Sequence, residues 1–335
     1  MTDGWTLADT ASSRHAGESC LGEATRSAPP SEGILTVQGL CKHFGARQAL
    51  NQLSLAVAPG EIVGLVGSNG SGKTTSLRIL AGLLKADAGR GSVLGFDLLR
   101  QGAQLRRRVG YLSQRDSLYG ALSVAENLRF RAEVFGLQHP ESAVSAAIDR
   151  FGLQSFATQR ASQLSGGWAR ILQLAATLLH EPPVVMLDEP TAGLDVAARQ
   201  AVWRHLTRLA AEGRALLLST HDLLDASRCS RIVLLSQGHV RASGRPSDLV
   251  CATEISVLSI LGPRALTLVD LLQNTPGVIT SYPSGATLRA LVTPGAQQQV
   301  ATLIEARDFA VERVDPTLED AFLGLSRQEF KAMTQ

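Results

Sequence analysis

A glycine-rich segment at residues 67–74 constrains the fold of this chain more than any other feature. It reads Gly-Ser-Asn-Gly-Ser-Gly-Lys-Thr; an apolar run at residues 62–66 precedes it, and apolar residues at helical spacing follow it to residue 84. Glycines between a strand and a helix allow backbone N–H groups to surround a phosphate, and the helix N-terminus adds positive charge. We therefore predict a phosphate-binding loop in which Lys73 reaches the β- and γ-phosphates of a nucleotide and Thr74 holds Mg²⁺.

A second apolar run, at residues 184–187, ends in two carboxylates, Asp188 and Glu189. In a parallel sheet the carboxyl ends of the strands form the edge at which ligands bind. We therefore predict that Asp188 lies near the magnesium ion and that Glu189 polarises a water for in-line attack on the γ-phosphate. Taken alone, a strand followed by Asp-Glu-Pro also fits a solvated turn, but the phosphate-binding loop favours the catalytic interpretation.

Short apolar strands alternate with helical segments through most of the chain, which predicts a parallel sheet covered on both faces. Residues 123–173 read mostly as helix, and a helical pattern at residues 196–211 separates the strands at 184–187 and 215–218. After about residue 250 we predict, in order, a strand, a helix (266–272), a strand (278–282), a strand (287–292), a helix (296–306), a strand (310–314) and a last helix (318–325). This order is typical of a split βαβ, ferredoxin-like unit.

Composition excludes several classes of protein. A net charge of +2 lacks the basic excess of a nucleic-acid-binding chain. The four cysteines are dispersed, which argues against a metal knuckle or a disulfide framework and suits a reducing compartment. No apolar run approaches the roughly 18 to 20 residues that cross a bilayer, so we expect a soluble, intracellular chain. Residues 1–32 are rich in Ser, Ala, Gly and Thr, and we expect a flexible leader there.

A Leu-Ser-Gly-Gly sequence at residues 164–167 lies between the two nucleotide motifs, and together the three resemble the nucleotide-binding domain of ABC transporters over residues 34–249. Further elements follow the family's order: Phe44 where an aromatic ring stacks on adenine, Gln114 at the Q-loop, Asp195 in the D-loop and His221 at the switch histidine. The resemblance implies an α/β fold, with a P-loop NTPase domain of the ABC type, including a helical subdomain, over residues 33–250. A small α+β, ferredoxin-like accessory domain is expected over residues 251–335.

The resemblance also implies roles for individual residues. Glu189, His221 and Gln114 are the expected catalytic residues, with His221 bonding the γ-phosphate and holding the attacking water. Thr74, Gln114 and Asp188 are expected to hold Mg²⁺. The residues expected to contact ATP are Phe44, Gly67, Ser68, Asn69, Gly70, Ser71, Gly72, Lys73, Thr74, Thr75, Ser165, Gly166, Gly167, Asp188 and Asp195.

The signature departs from the family's usual pattern at two positions. Trp168 replaces the usual polar residue after the second glycine, and Ile171 stands where the family has an arginine. Arg170 lies one position early, and we assign it no role in the site from the sequence. In this family the signature of one domain completes the ATP site of another. The resemblance therefore implies a head-to-tail dimer, with a second copy or with a homologous ATPase, that sandwiches two ATP molecules.

Residues 315–322 resemble an ending that is common in ATPases of the ABC type-2 export group. The resemblance implies an ATP-hydrolysing subunit that energises export through a separate membrane permease, which residues 115–127 are expected to contact. It implies a location in the cytoplasm, on the inner face of the cell membrane. One alternative is the ATPase subunit of an ABC importer, although such chains often carry a β-rich extension. The other is a soluble ABC protein acting on ribosomes or DNA, for which the basic surface is missing.

Overall fold

A computed structural model of the chain describes residues 33–115, 117–262 and 264–333, with side chains described as far as residue 325. The leader predicted at residues 1–32 lies outside these residues. The strands are β1 (Leu35–Phe44), β2 (Arg47–Val57), β3 (Ile62–Val66), β4 (Ala88–Val93), β5 (Phe96–Asp97), β6 (Val109–Leu112), β7 (Val184–Asp188), β8 (Ala215–Thr220), β9 (Arg231–Ser236), β10 (His239–Gly244), β11 (Ser256–Leu261), β12 (Val278–Ser284), β13 (Thr287–Val292) and β14 (Ala310–Val314). The α-helices are α1 (Lys73–Leu80), α2 (Gly102–Arg106), α3 (Val124–Val134), α4 (Pro140–Phe151), α5 (Gly166–Leu178), α6 (Val196–Ala211), α7 (Leu223–Ala226), α8 (Pro246–Ala252), α9 (Val269–Gln273), α10 (Gln297–Glu305) and α11 (Leu318–Met333).

The central sheet has the strand order β10-β9-β3-β8-β7-β6, and all of its pairs are parallel except the edge pair β9–β10. Its strands send alternate residues to two cores. In β7, Val185 and Leu187 pack with residues of α3, α5 and α6, whereas Val184 and Met186 pack with α1 and the first two strands. Burial on both faces explains the uninterrupted apolar runs, and the predicted parallel sheet covered on both faces is confirmed.

Two further layers cover this sheet. An antiparallel sheet of order β2-β1-β4-β5 lies on the α1 side, and it brings the end of β1 towards the phosphate-binding loop. On the other side α3, α4 and α5 form the helical region predicted at residues 123–173. The helix α3 begins with a capping box, in which the Glu126 N–H donates to Ser123 Oγ and the Ser123 N–H donates to Glu126 Oε2.

The C-terminal region is a four-stranded antiparallel sheet of order β12-β13-β11-β14, with α9 and α10 in the crossovers. This is the ferredoxin-like order that was predicted from the sequence. The helix predicted at residues 266–272 is shorter and begins as a 3₁₀ turn, Ala265–Leu268, before α9. The last helix is longer than predicted, because it continues beyond residue 325 to Met333.

The helix α11 contacts both parts of the chain. Leu318, Phe322 and Leu325 pack against the core that contains α8 and the parallel sheet, whereas Leu323 packs against the C-terminal sheet. Gly324 lies directly against Ile255, where a Cβ atom would come within 2.2 Å of the Ile255 side chain. None of the helices in the described part of the chain combines the length and the apolar character that crossing a membrane requires.

Candidate nucleotide site

The phosphate-binding loop joins β3 to α1, as its sequence predicts. Gly72 has a φ of +109°, and a Cβ atom there would lie 2.7 Å from both the Ala49 carbonyl oxygen and the Leu50 side chain. Only glycine fits this backbone conformation and this close approach of β2. The loop therefore turns sharply into α1, whose first-turn N–H groups point towards the loop's open side.

Lys73 is buried beneath this loop. Its ammonium group donates hydrogen bonds to the carbonyl oxygens of Gly67 at 2.7 Å and Ser68 at 3.0 Å. Burial lowers the pKa of Lys73, while the negative charges of Glu189 and Asp188 oppose that shift. The charge is thus held in a partly desolvated position, where a phosphate would stabilise it.

Asp188 ends β7 and is almost fully buried. Its Oδ1 atom accepts hydrogen bonds from the hydroxyl groups of Thr74 at 3.0 Å and Ser219 at 2.6 Å. Because Thr74 belongs to α1 and Ser219 to β8, this carboxylate connects the first turn of α1 to two neighbouring strands. The phosphate-binding loop and the strand that ends in Asp188 and Glu189 therefore meet at the carboxyl edge of the parallel sheet.

Glu189 lies next to Asp188 in a strained backbone conformation with a φ of +48°. The Glu189 N–H donates to Ser219 Oγ at 2.9 Å, which holds the turn. The Glu189 carboxylate accepts a hydrogen bond from Gln114 Nε2 at 2.9 Å, and its other oxygen lies 3.0 Å from His221 Nδ1. The structure therefore brings together the three side chains that the resemblance names as catalytic.

An open cavity of about 560 Å³ lies above the loop and has Phe44 at its rim. The Phe44 ring is 51% exposed, which leaves a flat apolar face available for stacking. Sequence reasoning missed two cationic side chains of this cavity, Arg47 and Arg78. Arg78 follows Thr74 by four positions, about one helical turn, which places both residues on one face of α1. This spacing is the signal from which Arg78 could have been predicted. The lining residues are Phe44, Arg47, Ala49, Asn69, Gly70, Gly72, Lys73, Thr74, Thr75, Arg78, Gln114 and Glu189.

The signature residues do not join this cavity. Ser165 caps α5 by accepting the Trp168 N–H, and Ser165 and Gly166 are exposed to solvent. Asp195 similarly caps α6 by accepting the Ala198 N–H at 2.8 Å. Among the described residues that line the cavity, none belongs to 165–167 or to position 195.

The two departures in the signature have structural reasons. Ile171 lies in the core beneath the parallel sheet, so an apolar side chain suits its position on α5. Trp168 packs on Phe156, with ring centroids 4.6 Å apart. Arg170, which sequence reasoning left unassigned, is buried and donates to backbone carbonyls beside Glu189. The sequence feature that could have identified it is a positively charged residue within an otherwise mostly apolar helical stretch.

Comparisons with known proteins agree with this geometry. Residues 50–192 match the family model described as ABC transporter. Nod factor export ATP-binding protein I of Paraburkholderia xenovorans is 39% identical over 305 residues, which cover 90% of this chain and 99% of that protein. The probable multidrug ABC transporter ATP-binding protein YbhF of Escherichia coli is 39% identical over 222 residues, which cover 66% of this chain but only 38% of that protein. A solved ATP-binding cassette, a dimer in a post-hydrolysis state bound to ADP and Pi, is 25% identical, covers 63% of this chain and 98% of its own, and has a TM-score of 0.58.

Proposed function

The chain belongs to the ABC transporter family of ATP-binding proteins, and we propose that it hydrolyses ATP to drive export through a separate membrane permease. The observation that carries this proposal is the meeting of Gln114 and His221 on the carboxylate of Glu189, beside the phosphate-binding loop. Two neighbouring donors hold one carboxylate in place there, as a general base requires. The export direction is supported by the relatives, whose names refer to Nod factor and multidrug export.

In the proposed reaction, a water molecule beside Glu189 attacks the γ-phosphorus of ATP. Glu189 accepts a proton from the water as its oxygen bonds to phosphorus. The bond to the β–γ bridging oxygen breaks, and ADP leaves with that electron pair. Lys73 stabilises negative charge on the phosphate oxygens, and His221 holds the γ-phosphate and the attacking water. The products are ADP, inorganic phosphate and the proton that Glu189 then releases.

The donor set beside the loop fits a magnesium ion. The Thr74 hydroxyl, the Asp188 carboxylate and the side-chain amide of Gln114 offer the oxygen ligands that Mg²⁺ prefers, and Mg²⁺ is commonly held by few protein groups together with substrate phosphates. Ser219 orients Asp188 by donating to its Oδ1 atom. When bound with ATP, the ion supplies positive charge that neutralises the phosphate oxygens.

The proposed working unit is a head-to-tail dimer with a second copy or with a homologous ATPase. Exposure of Ser165 and Gly166 at the N-terminus of α5, a helix of 13 residues, supports this arrangement. Backbone N–H groups and the helix dipole there favour a phosphate, and in the dimer that phosphate belongs to the nucleotide of the partner. Gly167 and Asp195 are proposed to join the same contact.

The proposed permease contact lies along residues 115–127 and the start of α3. Tyr119 is 50% exposed, and its ring meets Phe130 edge-to-face with centroids 4.8 Å apart. An exposed aromatic pair beside the Q-loop is suited to receive a helix of the permease and to pass its movement to Gln114.

We expect Arg115→Glu to reduce export in cells while the ATPase rate of the purified chain stays unchanged. Unchanged export would contradict this contact.

The proposed domain boundary lies near residue 250, close to the end of α8, with the ATPase domain at residues 33–250 and the accessory domain at residues 251–335. The ferredoxin-like order of the accessory domain supports an exporter over the importer alternative, in which β-rich extensions are common. Through its permease the chain is proposed to lie on the cytoplasmic face of the cell membrane.

Replacing the proposed base tests this function directly. In the purified full chain, Glu189→Gln should lower phosphate release from ATP by about 100-fold or more, because the amide cannot accept the proton. Binding of a fluorescent ATP analogue should be retained. Glu181→Gln, the same substitution on an exposed residue before the start of β7, serves as the matched control. A Glu189→Gln protein that hydrolyses ATP at the wild-type rate would overturn the assignment.

A further inference from the structure

The signature helix α5 carries a buried arginine one turn after its N-terminus. Arg170 lies between the buried apolar residues of that helix and the turn that follows β7. We propose that Arg170 is a positioning residue, which holds the Q-loop and the carboxylate-bearing turn at the separation that ATP hydrolysis requires. This inference rests on the proposed roles of Gln114 and Glu189.

Three hydrogen bonds of the guanidinium group go to the end of β7 and the turn after it. Its Nη2 atom donates to the carbonyl oxygens of Asp188 at 3.0 Å and Glu189 at 2.8 Å, and its Nε atom donates to that of Pro190 at 2.8 Å. Three consecutive carbonyl groups are therefore bound by one planar side chain. Arg170 therefore holds the backbone that carries Asp188 and Glu189.

The remaining donors reach the Q-loop and α5 itself. Nη1 donates to the carbonyl oxygen of Ser113 at 3.0 Å and to Oε1 of Gln173 at 2.8 Å. Ser113 directly precedes Gln114. An arginine side chain carries five N–H donors in a planar fork. The five hydrogen bonds named here go to neutral oxygens, so they fix the geometry of the groups that Arg170 joins.

These contacts link the backbones of two residues whose side chains also meet. Gln114 Nε2 donates to Glu189 Oε2 at 2.9 Å, while Arg170 binds the carbonyl groups of Ser113 and Glu189. Gln114 lies 75 positions before Glu189 in the chain, and within the described residues the β6–β7 ladder ends at the pair Leu112–Leu187, before either loop begins. Because a displacement of about 1 Å can lower a catalytic rate about 100-fold, the separation of these loops matters for hydrolysis.

The helix supplies a firm base for this role. Ile171 and Leu172, which follow Arg170, are buried in the core beneath the parallel sheet.

A lysine at position 170 would keep the charge but not the planar fork, and its ammonium group has only three donors. The lysine ammonium group can donate to the carbonyl groups of one of the two loops, but it cannot reach those of both loops with the geometry of arginine. Arg170→Lys is therefore the informative variant, and Arg170→Met removes the contacts altogether.

The test measures, for the purified full chain, the ATPase rate per bound nucleotide, the affinity for a fluorescent ATP analogue and the melting temperature. Arg170→Lys should lower the rate by about tenfold or more, with affinity within about threefold of wild type, because the backbone acceptors that Arg170 binds lie on Ser113 and residues 188–190, outside the phosphate-binding loop. Arg214→Met is the matched control. Arg214 Nη1 also donates to a backbone carbonyl, that of Pro182, but at the other end of β7. This control should keep the wild-type rate per bound nucleotide.

A double-mutant cycle separates positioning from general stabilisation. Gln114→Ala should lower the rate less in the Arg170→Lys background than in the wild-type chain, because Gln114 is no longer held there. If the effects of the two substitutions multiply independently, or if rate per bound nucleotide is unchanged in Arg170→Lys, the proposal is wrong. A parallel fall of affinity and melting temperature without loss of rate per bound nucleotide also overturns it.

Two further outcomes are decisive. Should Arg170→Met fail to fold, Arg170→Lys and the cycle still give the answer. A wild-type chain that hydrolyses ATP, together with an inactive Glu189→Gln variant and a fully active Arg170→Lys variant, would remove this inference and leave the proposed function intact. A Glu189→Gln variant that hydrolyses ATP normally would remove both.

Discussion

Thr74 Oγ1 donates a hydrogen bond to Oδ1 of Asp188 at 3.0 Å, across 114 positions of the chain. The contact joins the first turn of α1 to the end of β7, and it places a hydroxyl and a carboxylate side by side at the edge of the central sheet. The two oxygen ligands that we propose for a magnesium ion are thus arranged by the meeting of a helix N-terminus with a strand C-terminus.

Removing the hydroxyl of this pair should impair the use of magnesium. We expect Thr74→Val to lower the ATPase rate by about 100-fold, because one oxygen ligand of the ion is lost. Nucleotide binding in the presence of a chelator should be unchanged, and titration with Mg²⁺ at fixed ATP measures the difference. Ser76→Ala is the control, since Ser76 lies on the same helix and its buried hydroxyl donates to the Gly72 carbonyl oxygen at 2.9 Å. Equal magnesium dependence in Thr74→Val and wild type would argue against the assignment.

Removing the buried ammonium group should weaken nucleotide binding. Lys73→Met is expected to lower ATP affinity about 10- to 100-fold, since a charge-assisted bond to phosphate is lost, whereas exposed Lys85→Met should have no effect. The pKa of Lys73 is lowered by burial, so in wild type the ammonium form is lost at a lower pH than in an ordinary lysine. Affinity should therefore decline as the pH rises through that lowered value. Isothermal titration at increasing pH measures both effects, and an affinity insensitive to Lys73→Met would contradict the role.

Asp320 offers a test of what holds α11 to the C-terminal antiparallel sheet. This fully buried carboxylate accepts hydrogen bonds from Tyr282 at 2.8 Å, Arg289 at 2.7 Å and the Thr317 N–H at 2.7 Å. Burial alone would raise the pKa of Asp320, but the hydrogen bonds from Arg289, Thr317 and Tyr282 outweigh it and lower the pKa. We expect Asp320→Asn to reduce the free energy of unfolding at neutral pH by about 2 to 3 kcal/mol.

The sign of the pH dependence follows from this lowered pKa. The stabilisation is complete well above the unfolded-state pKa of about 3.9, and it is lost as the pH falls through the lower folded-state value. The difference in stability between wild type and Asp320→Asn should therefore shrink in acid, which denaturant titrations from pH 7 to pH 3 measure. Asp308→Asn is the control, because this exposed residue has a φ of +60°, which asparagine tolerates. A difference that stays constant with pH would show that the charge of Asp320 does not matter.

Features set by near neighbours in the chain were predictable. The loop before α1 and the carboxylates after β7 depend on short motifs, and the strands β13 and β14 were predicted to the residue because period-2 alternation is local. Helix ends were less accurate, as at α9 and α11, because the final turns of a helix depend on what packs against them.

The sequence by itself determined the phosphate-binding loop, the strand that ends in Asp188 and Glu189, and the order of elements in the C-terminal region, since glycine spacing and apolar periodicity are properties of adjacent residues. Only the tertiary structure decided that Gln114 and His221 meet on Glu189, that Arg170 binds the backbone on both sides of that contact, and that Asp320 is buried beside Arg289. These partners are separated by tens of residues in the chain. Their contacts exist because packing of the helices and sheets brings distant backbone segments within hydrogen-bond distance. Local sequence patterns do not indicate which of these segments will meet.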